Sequence, residues 1–217
     1  MPPRHPLPAA AGHTKVVDRT YERYPLGVGL ALAQIAKTVG TGERTLRRAI
    51  ADGTIHAVSG DARTLVLTAE EAEYVRLHWD ELGTLRRLLR TEPNVALAVV
   101  FGSFARGEEQ PDSDLDLVIA LRRADPLGLE RLHGRLQPHL RRALQLVAFA
   151  DVERSPALMY ELLRDGRVLA DREDRWAGLQ ARRISVARAA RAEGRRIETE
   201  ARQAIEHFAA LAEHGAA

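Results

Sequence analysis

Residues 101–121, FGSFARGEEQPDSDLDLVIAL, gather side chains suited to handling a phosphate chain and a cation. Gly102 and Gly107 permit backbone conformations that other residues resist. A glycine followed by a serine, Ser103, directly after an apolar run lets amide N–H groups and a hydroxyl come close to phosphate oxygens. Asp114 and Asp116 stand two apart at the head of a second apolar run. Alternate residues of a strand point the same way, so both carboxylates share a face. Two hard anionic oxygens side by side make a seat for Mg²⁺ already holding a triphosphate. Such a metal lowers the pKa of an attacking hydroxyl and offsets charge on a pyrophosphate leaving group. Arg106 suits a phosphate contact, because a guanidinium fork grips two oxygens.

Positioning these groups requires a sheet. Residues 95–101 and 115–121 are continuous apolar runs of the kind buried on both faces, and residues 146–149 predict a third strand. Residues 127–144 read as helical between them. Residues 156–163 predict a short helix, Asp165-Gly166 a turn, and residues 167–169 a short strand. From about residue 176 to 210 the chain again reads helical. Val186, Ala190, Ile197, Ala201, Ile205, Phe208 and Leu211 form its apolar stripe, and Gly194 is its weak point. That helix is expected to lie on its own domain, with a partner or a second copy of the chain as the alternative.

Composition narrows the classes. The chain has 217 residues, 45% hydrophobic and 29% charged, the balance of a globular protein. It lacks cysteine, which excludes disulfides, thiolate metal sites and cysteine nucleophiles. No stretch reaches the roughly 20 apolar residues that span a bilayer, and the first residues carry no apolar leader, so a cytoplasmic protein without membrane contact is expected. A net charge of +2 is too small to argue for nucleic acid, so any such surface must be local. The histidines lack ligand spacing and read as structural or solvated. Trp79 and Trp176 read as packing residues.

The order Gly-Ser, Ala-Arg-Gly, then Ser-Asp-Leu-Asp-Leu strongly resembles the signature of the DNA polymerase β-like nucleotidyltransferase superfamily. The small prokaryotic minimal nucleotidyltransferases are the nearest match, over about residues 95–172. The resemblance implies that Gly102 and Ser103 bind nucleotide phosphates and that Asp114 and Asp116 bind Mg²⁺, with ATP as the donor. The family also supplies a third carboxylate on the next core strand, where this chain has Gln145. An amide cannot act as a base. Three readings stay open: Asp151, on the same strand parity, replaces the missing group as a catalytic residue; two aspartates suffice for slow transfer; or the site binds nucleotide without turnover.

Upstream, Leu32, Ile35, Ala36 and Val39 recur at helical spacing, and Gly40-Thr41-Gly42 breaks the pattern. A second helix at 43–52 buries Leu46, Ala49 and Ile50 and ends at Gly53. Residues 55–58 and 63–67 then flank Ser59-Gly60-Asp61, a hairpin signal. Thr68 followed by Glu71 has capping-box spacing for a helix from 69 to about 90. Helix, turn, helix and ribbon resemble excisionase and MerR-type DNA-binding modules. The second helix would offer Arg44, Thr45, Arg47 and Arg48 to double-stranded DNA, and Arg63 on the ribbon could reach a phosphate.

The expected fold is therefore α+β: a polymerase β-like nucleotidyltransferase core, a mixed sheet with helices, preceded by a small helix-turn-helix or winged domain and followed by a C-terminal helix. The divisions are a tail at 1–24, the helix-turn-helix domain with hairpin and connecting helix at 25–91, the nucleotidyltransferase domain at 92–175, and a helical tail at 176–217. The expected activity is Mg²⁺-dependent transfer of a nucleoside monophosphate, AMP from ATP by resemblance, to a hydroxyl acceptor. The resemblance offers as acceptor a HEPN-type toxin, with the chain as its antitoxin. The alternatives are a DNA-binding regulator with a weak or inactive nucleotide-binding core, and an aminoglycoside-type enzyme acting on a small molecule.

Overall fold

The computed structural model describes residues 30–59 and 65–214. The expected tail at 1–24, the turn residues Gly60 and Asp61, Arg63, and the side chains of Phe208 and Leu211 lie outside the described residues.

The described part opens with strand β1 (Leu30–Ala31) and helices α1 (Leu32–Thr38) and α2 (Glu43–Asp52). Gly53 ends α2 at φ +82°, a left-handed conformation that glycine adopts without penalty. Strands β2 (Val58–Ser59) and β3 (Leu65–Leu67) follow, and β3 pairs antiparallel with both β1 and β2. The hairpin is shorter than its apolar residues suggest. Ile55 is buried in the core, and residues 53–56 make bonds to other elements, so only the end of the run is free to pair.

The long helix α3 (Ala69–Arg90) has the expected bounds. The Thr68 hydroxyl accepts from the Glu71 amide at 3.2 Å, satisfying one of the free donors of the first turn.

The main sheet has the order β6-β5-β4-β7. Its strands are β4 (Val95–Phe101), β5 (Leu115–Leu121), β6 (Leu144–Ala148) and β7 (Arg167–Asp171). β4 is antiparallel to β5 and β7, and β5 is parallel to β6, so the sheet is mixed. Every residue of β4 is buried, as its uninterrupted apolar run requires.

Alternation along β4 divides the core. Ala98 and Val100 join the α3 side with Leu82, Leu85 and Leu89, and this cluster continues into Leu32, Ile35 and Leu46 of the N-terminal helices. Leu97, Val99 and Phe101 face the other layer, with Met159, Leu162 and Leu163.

Between β5 and β6 the helix is shorter than predicted. α5 (Gly128–Leu136) runs into a 3-10 turn, Gln137–His139, whose Pro138 has no amide hydrogen to continue the helix. The Gln137 side chain then bridges the loop, donating to the Arg142 carbonyl at 2.9 Å and accepting from the Leu144 amide at 2.8 Å. This lets β6 start at Leu144, two residues earlier than expected.

On the second face lie α6 (Phe149–Glu153), α7 (Pro156–Asp165), α8 (Arg175–Ala181) and α9 (Arg183–His214). The near part of α9 packs along α7, with Val186 against the core. Farther out the expected stripe has no cover from the described residues: Ile197 is 54% and Ile205 70% exposed. Among the described residues no helix is long and apolar enough to cross a membrane.

Candidate active site

Strand β4 ends at Phe101, and the chain turns at once into helix α4 (Gly102–Arg106). Phe101 is paired with Asp116 across the antiparallel ladder. That register carries Gly102 against the Asp116 side chain. A Cβ on Gly102 would lie 2.5 Å from Asp116 Oδ2, and Gly102 has φ +74°. Only glycine meets both demands, the left-handed backbone and the close approach.

Asp114 lies just before β5, two residues ahead of Asp116, and its charge reaches Asp116. Burial raises the Asp116 carboxyl above the ordinary range, and the Asp114 charge beside it pushes in the same direction. A carboxylate crowded by a second one is a donor that a divalent cation relieves. Among the described residues no group of three or more His, Asp or Glu could hold a metal ion, so the protein would contribute this pair and leave other positions to phosphate and water.

The cavity over this corner has a volume of about 620 Å³. Phe101, Gly102, Arg106 and Asp116 contribute to its wall from β4, α4 and β5, and Gln145 and Val147 from β6. Gln145 is the ladder partner of Asp116. The position beside the aspartate pair therefore carries an amide, as the sequence comparison with the resembled family anticipates.

Arg106 lines the cavity and is held by acids: its Nε donates to Glu108 at 2.6 Å, and Nη1 lies 3.8 Å from Asp165. Ser103 stands on the first turn of α4 and is half-buried.

Asp151 is elsewhere. β6 ends at Ala148, and Asp151 sits on α6 with its side chain exposed and accepting a bond from Arg154. It does not line the cavity. Strand parity is lost once the chain becomes helical, which is why spacing from Gln145 could not place it.

Three charged groups of the cavity escaped the sequence reading: Glu108, Glu161 and Arg164. Glu161 and Arg164 project from α7. Their signal was the helical period itself: Leu158, Glu161 and Arg164 recur every third residue opposite the buried Met159 and Leu162.

The residues expected to meet DNA are on α2. Arg44, Thr45, Arg47 and Arg48 are all exposed there. Arg47 is engaged with Glu43, its Nε donating at 2.9 Å and Nη2 at 2.5 Å.

The back of α4 is fixed from the N-terminal side. Arg167, buried on β7, donates from Nε to the Ala105 carbonyl at 2.6 Å and stacks over the Tyr74 ring at 3.5 Å. Glu109, in the loop leading to Asp114, has an oxygen 3.3 Å from His78 Nε2 of α3.

Residues 84–175 match the family model described as "Polymerase beta, Nucleotidyltransferase". No curated protein sequence matches the chain. Among solved structures, one described as a toxin-antitoxin with AMP-PNP is 22% identical, covers 55% of this chain and 97% of its own, and gives a TM-score of 0.46. The toxin-antitoxin MntA-HepT is 20% identical, with coverage of 57% and 97% and a TM-score of 0.43. A tri-AMPylated Shewanella oneidensis HEPN toxin in complex with MNT antitoxin is 20% identical, with coverage of 57% and 98% and a TM-score of 0.44.

Proposed function

We propose a reaction for a chain whose residues 84–175 match the family model of polymerase beta nucleotidyltransferases: transfer of AMP from ATP to a hydroxyl acceptor. The observation that carries it is the contact of Gly102 with Asp116, which sets a glycine-serine turn against paired carboxylates. In this reading Gly102 and Ser103 receive the phosphate chain, and Arg106, steadied by Glu108 and Asp165, meets its outer oxygens. Asp114 and Asp116 would hold Mg²⁺, which supplies charge neutralisation on the phosphates. The fixed donors and charges need little rearrangement when the α-phosphate is attacked, and that preorganisation is their catalytic contribution.

For the acceptor we favour a protein hydroxyl, on a HEPN-type toxin that this chain would silence as antitoxin. The support is the resemblance of residues 95–172 to minimal nucleotidyltransferases. The exposed Arg44, Thr45 and Arg48 of α2 suit a second, DNA-directed task such as regulation of the chain's own operon. The test is label transfer from α-labelled ATP, with Mg²⁺, to proteins of the native host, including the product of the neighbouring gene. Label on a partner that disappears in the Asp114→Ala/Asp116→Ala double variant supports the reading. A folded chain that labels nothing overturns it.

Gln145 beside Asp116 favours a second reading, a DNA-binding regulator whose core holds nucleotide without turnover. Operator control that survives the same double variant, without any label transfer by the wild type, selects it.

A further inference from the structure

A hydroxyl that attacks a phosphate must lose its proton, and Gln145, at the position next to Asp116, has an amide that cannot take one. Among the described residues, the carboxylates lining the cavity are Asp116, Glu108 and Glu161. Asp116 belongs to the cation pair. Glu108 accepts from Arg106 Nε at 2.6 Å and is committed to holding that guanidinium. Glu161 accepts no hydrogen bond from any described residue. It does feel the charge of Arg164, one turn farther along the same helix. It stands between Leu158 and Arg164 on the ridge of α7 that faces the cavity, while Met159, Leu162 and Leu163 fasten the opposite side of α7 to the sheet. An exposed carboxylate on an anchored helix, lining the same cavity as Gly102, is placed to meet an acceptor entering from solvent.

We infer that Glu161 is the general base of the transfer, supplied by α7 in place of a strand carboxylate. This rests on the transferase reading above. The acceptor O–H proton passes to a Glu161 carboxylate oxygen while the acceptor oxygen bonds to the α-phosphorus of ATP. The bond from that phosphorus to the oxygen bridging to the β-phosphate breaks, and its electron pair leaves with pyrophosphate. Arg164, held by Asp165 at 2.6 Å, stands beside Glu161 on the same ridge of α7.

The experiment uses the full chain, α-labelled ATP, Mg²⁺ and an extract of the native host as the pool of hydroxyl acceptors. Glu161→Gln is expected to lower the rate of label transfer about 100-fold, within the usual range for loss of a general base, and to leave ATP affinity by calorimetry within about two-fold. Because Glu161 is exposed, the variant's melting curve should overlay that of the wild type. Two rescues distinguish a base from a merely nearby charge. Formate should restore transfer to Glu161→Ala, and Gln145→Asp should restore it to Glu161→Gln. A Glu161→Gln variant that transfers label at the wild-type rate overturns the assignment of the base alone. So does one that loses rate only through weaker ATP binding. A wild-type chain that binds ATP and labels nothing overturns the transferase reading instead, so the two failures are separable.

Discussion

Arg167 and Glu71, 96 positions apart, form a buried two-pronged ion pair: Nη1 donates to Oε1 at 2.6 Å and Nη2 to Oε2 at 3.0 Å. Their side chains are only 5% and 9% exposed. Glu71 also accepts from the His56 amide at 2.9 Å, and Arg167 donates to the Ala105 carbonyl of α4. One pair thus joins α3, the segment after α2, and α4. Removing either partner strands a charge inside the protein. Glu71→Ala or Arg167→Ala should cost about 3–5 kcal/mol of stability, read from urea unfolding. Exchanging both for apolar residues of similar volume should cost less than either single change.

Metal binding should register as stability. Burial and Asp114 raise the folded-state pKa of Asp116, so its ionised form disfavours the fold above that pKa and the penalty fades as the pH falls through it. Mg²⁺ should raise the melting temperature at neutral pH. Asp116→Asn should raise it without metal and abolish the further rise on adding Mg²⁺. A melt of Asp116→Asn that still responds to Mg²⁺ like the wild type would place the cation elsewhere.

Gly102 tolerates no side chain. Alanine there must occupy a left-handed backbone position and meet the Asp116 carboxylate at 2.5 Å, for a cost of about 1–3 kcal/mol from the backbone alone. The expected signs are a lower melting temperature and loss of the Mg²⁺ shift, because the intruding methyl displaces the Asp116 carboxylate.

Acid should loosen the junction between the N-terminal helices and the sheet. Burial, assisted by the Arg167 charge, lowers His56 from the ordinary 6.5 to about 4. The unfolded chain then binds the proton more readily, so stability contributed by neutral His56 is present above pH 6.5 and lost as the pH falls from there towards 4. His56→Gln should flatten that part of the stability profile measured by urea titration.

If α2 meets DNA, its arginines should not contribute equally. Arg47 is held by Glu43, whereas Arg44 and Arg48 are exposed and make no such bond to a described residue. Arg44→Ala and Arg48→Ala should each weaken binding and reduce the salt slope of the affinity by about one unit per lost phosphate contact. Arg47→Ala should change it less. Equal effects of all three in a salt titration would argue that α2 contributes diffuse charge only.

The parts of this protein visible from sequence are those governed by local rules. The run at Val95–Phe101 announces a strand buried on both faces, and Thr68 with Glu71 announces a helix start. The aspartate pair and the glycine-serine turn are legible because one short segment contains both. Long-range geometry was hidden. Arg167 reads only as the first residue of a strand, and nothing near it in the chain signals a buried partner on α3. Glu161 reads as one polar position of a short amphipathic helix, and its place beside the cavity depends on how α7 lies across the sheet. Asp151 misled because the parity of β6 was carried past the point where the backbone becomes helical.

The segment matching the family model starts at Thr84, in the middle of α3. A fragment cut at that point would split a continuous helix and discard Tyr74, His78 and Glu71, the residues that brace Arg167 and Glu109 behind α4. It would also uncover β7, whose Val168 amide now donates to the Gly53 carbonyl at 3.1 Å, and leave an open sheet margin ready to recruit another chain. The unit inherited as a recognisable family and the unit able to stand alone in water thus have different borders, and an expression design should respect the second.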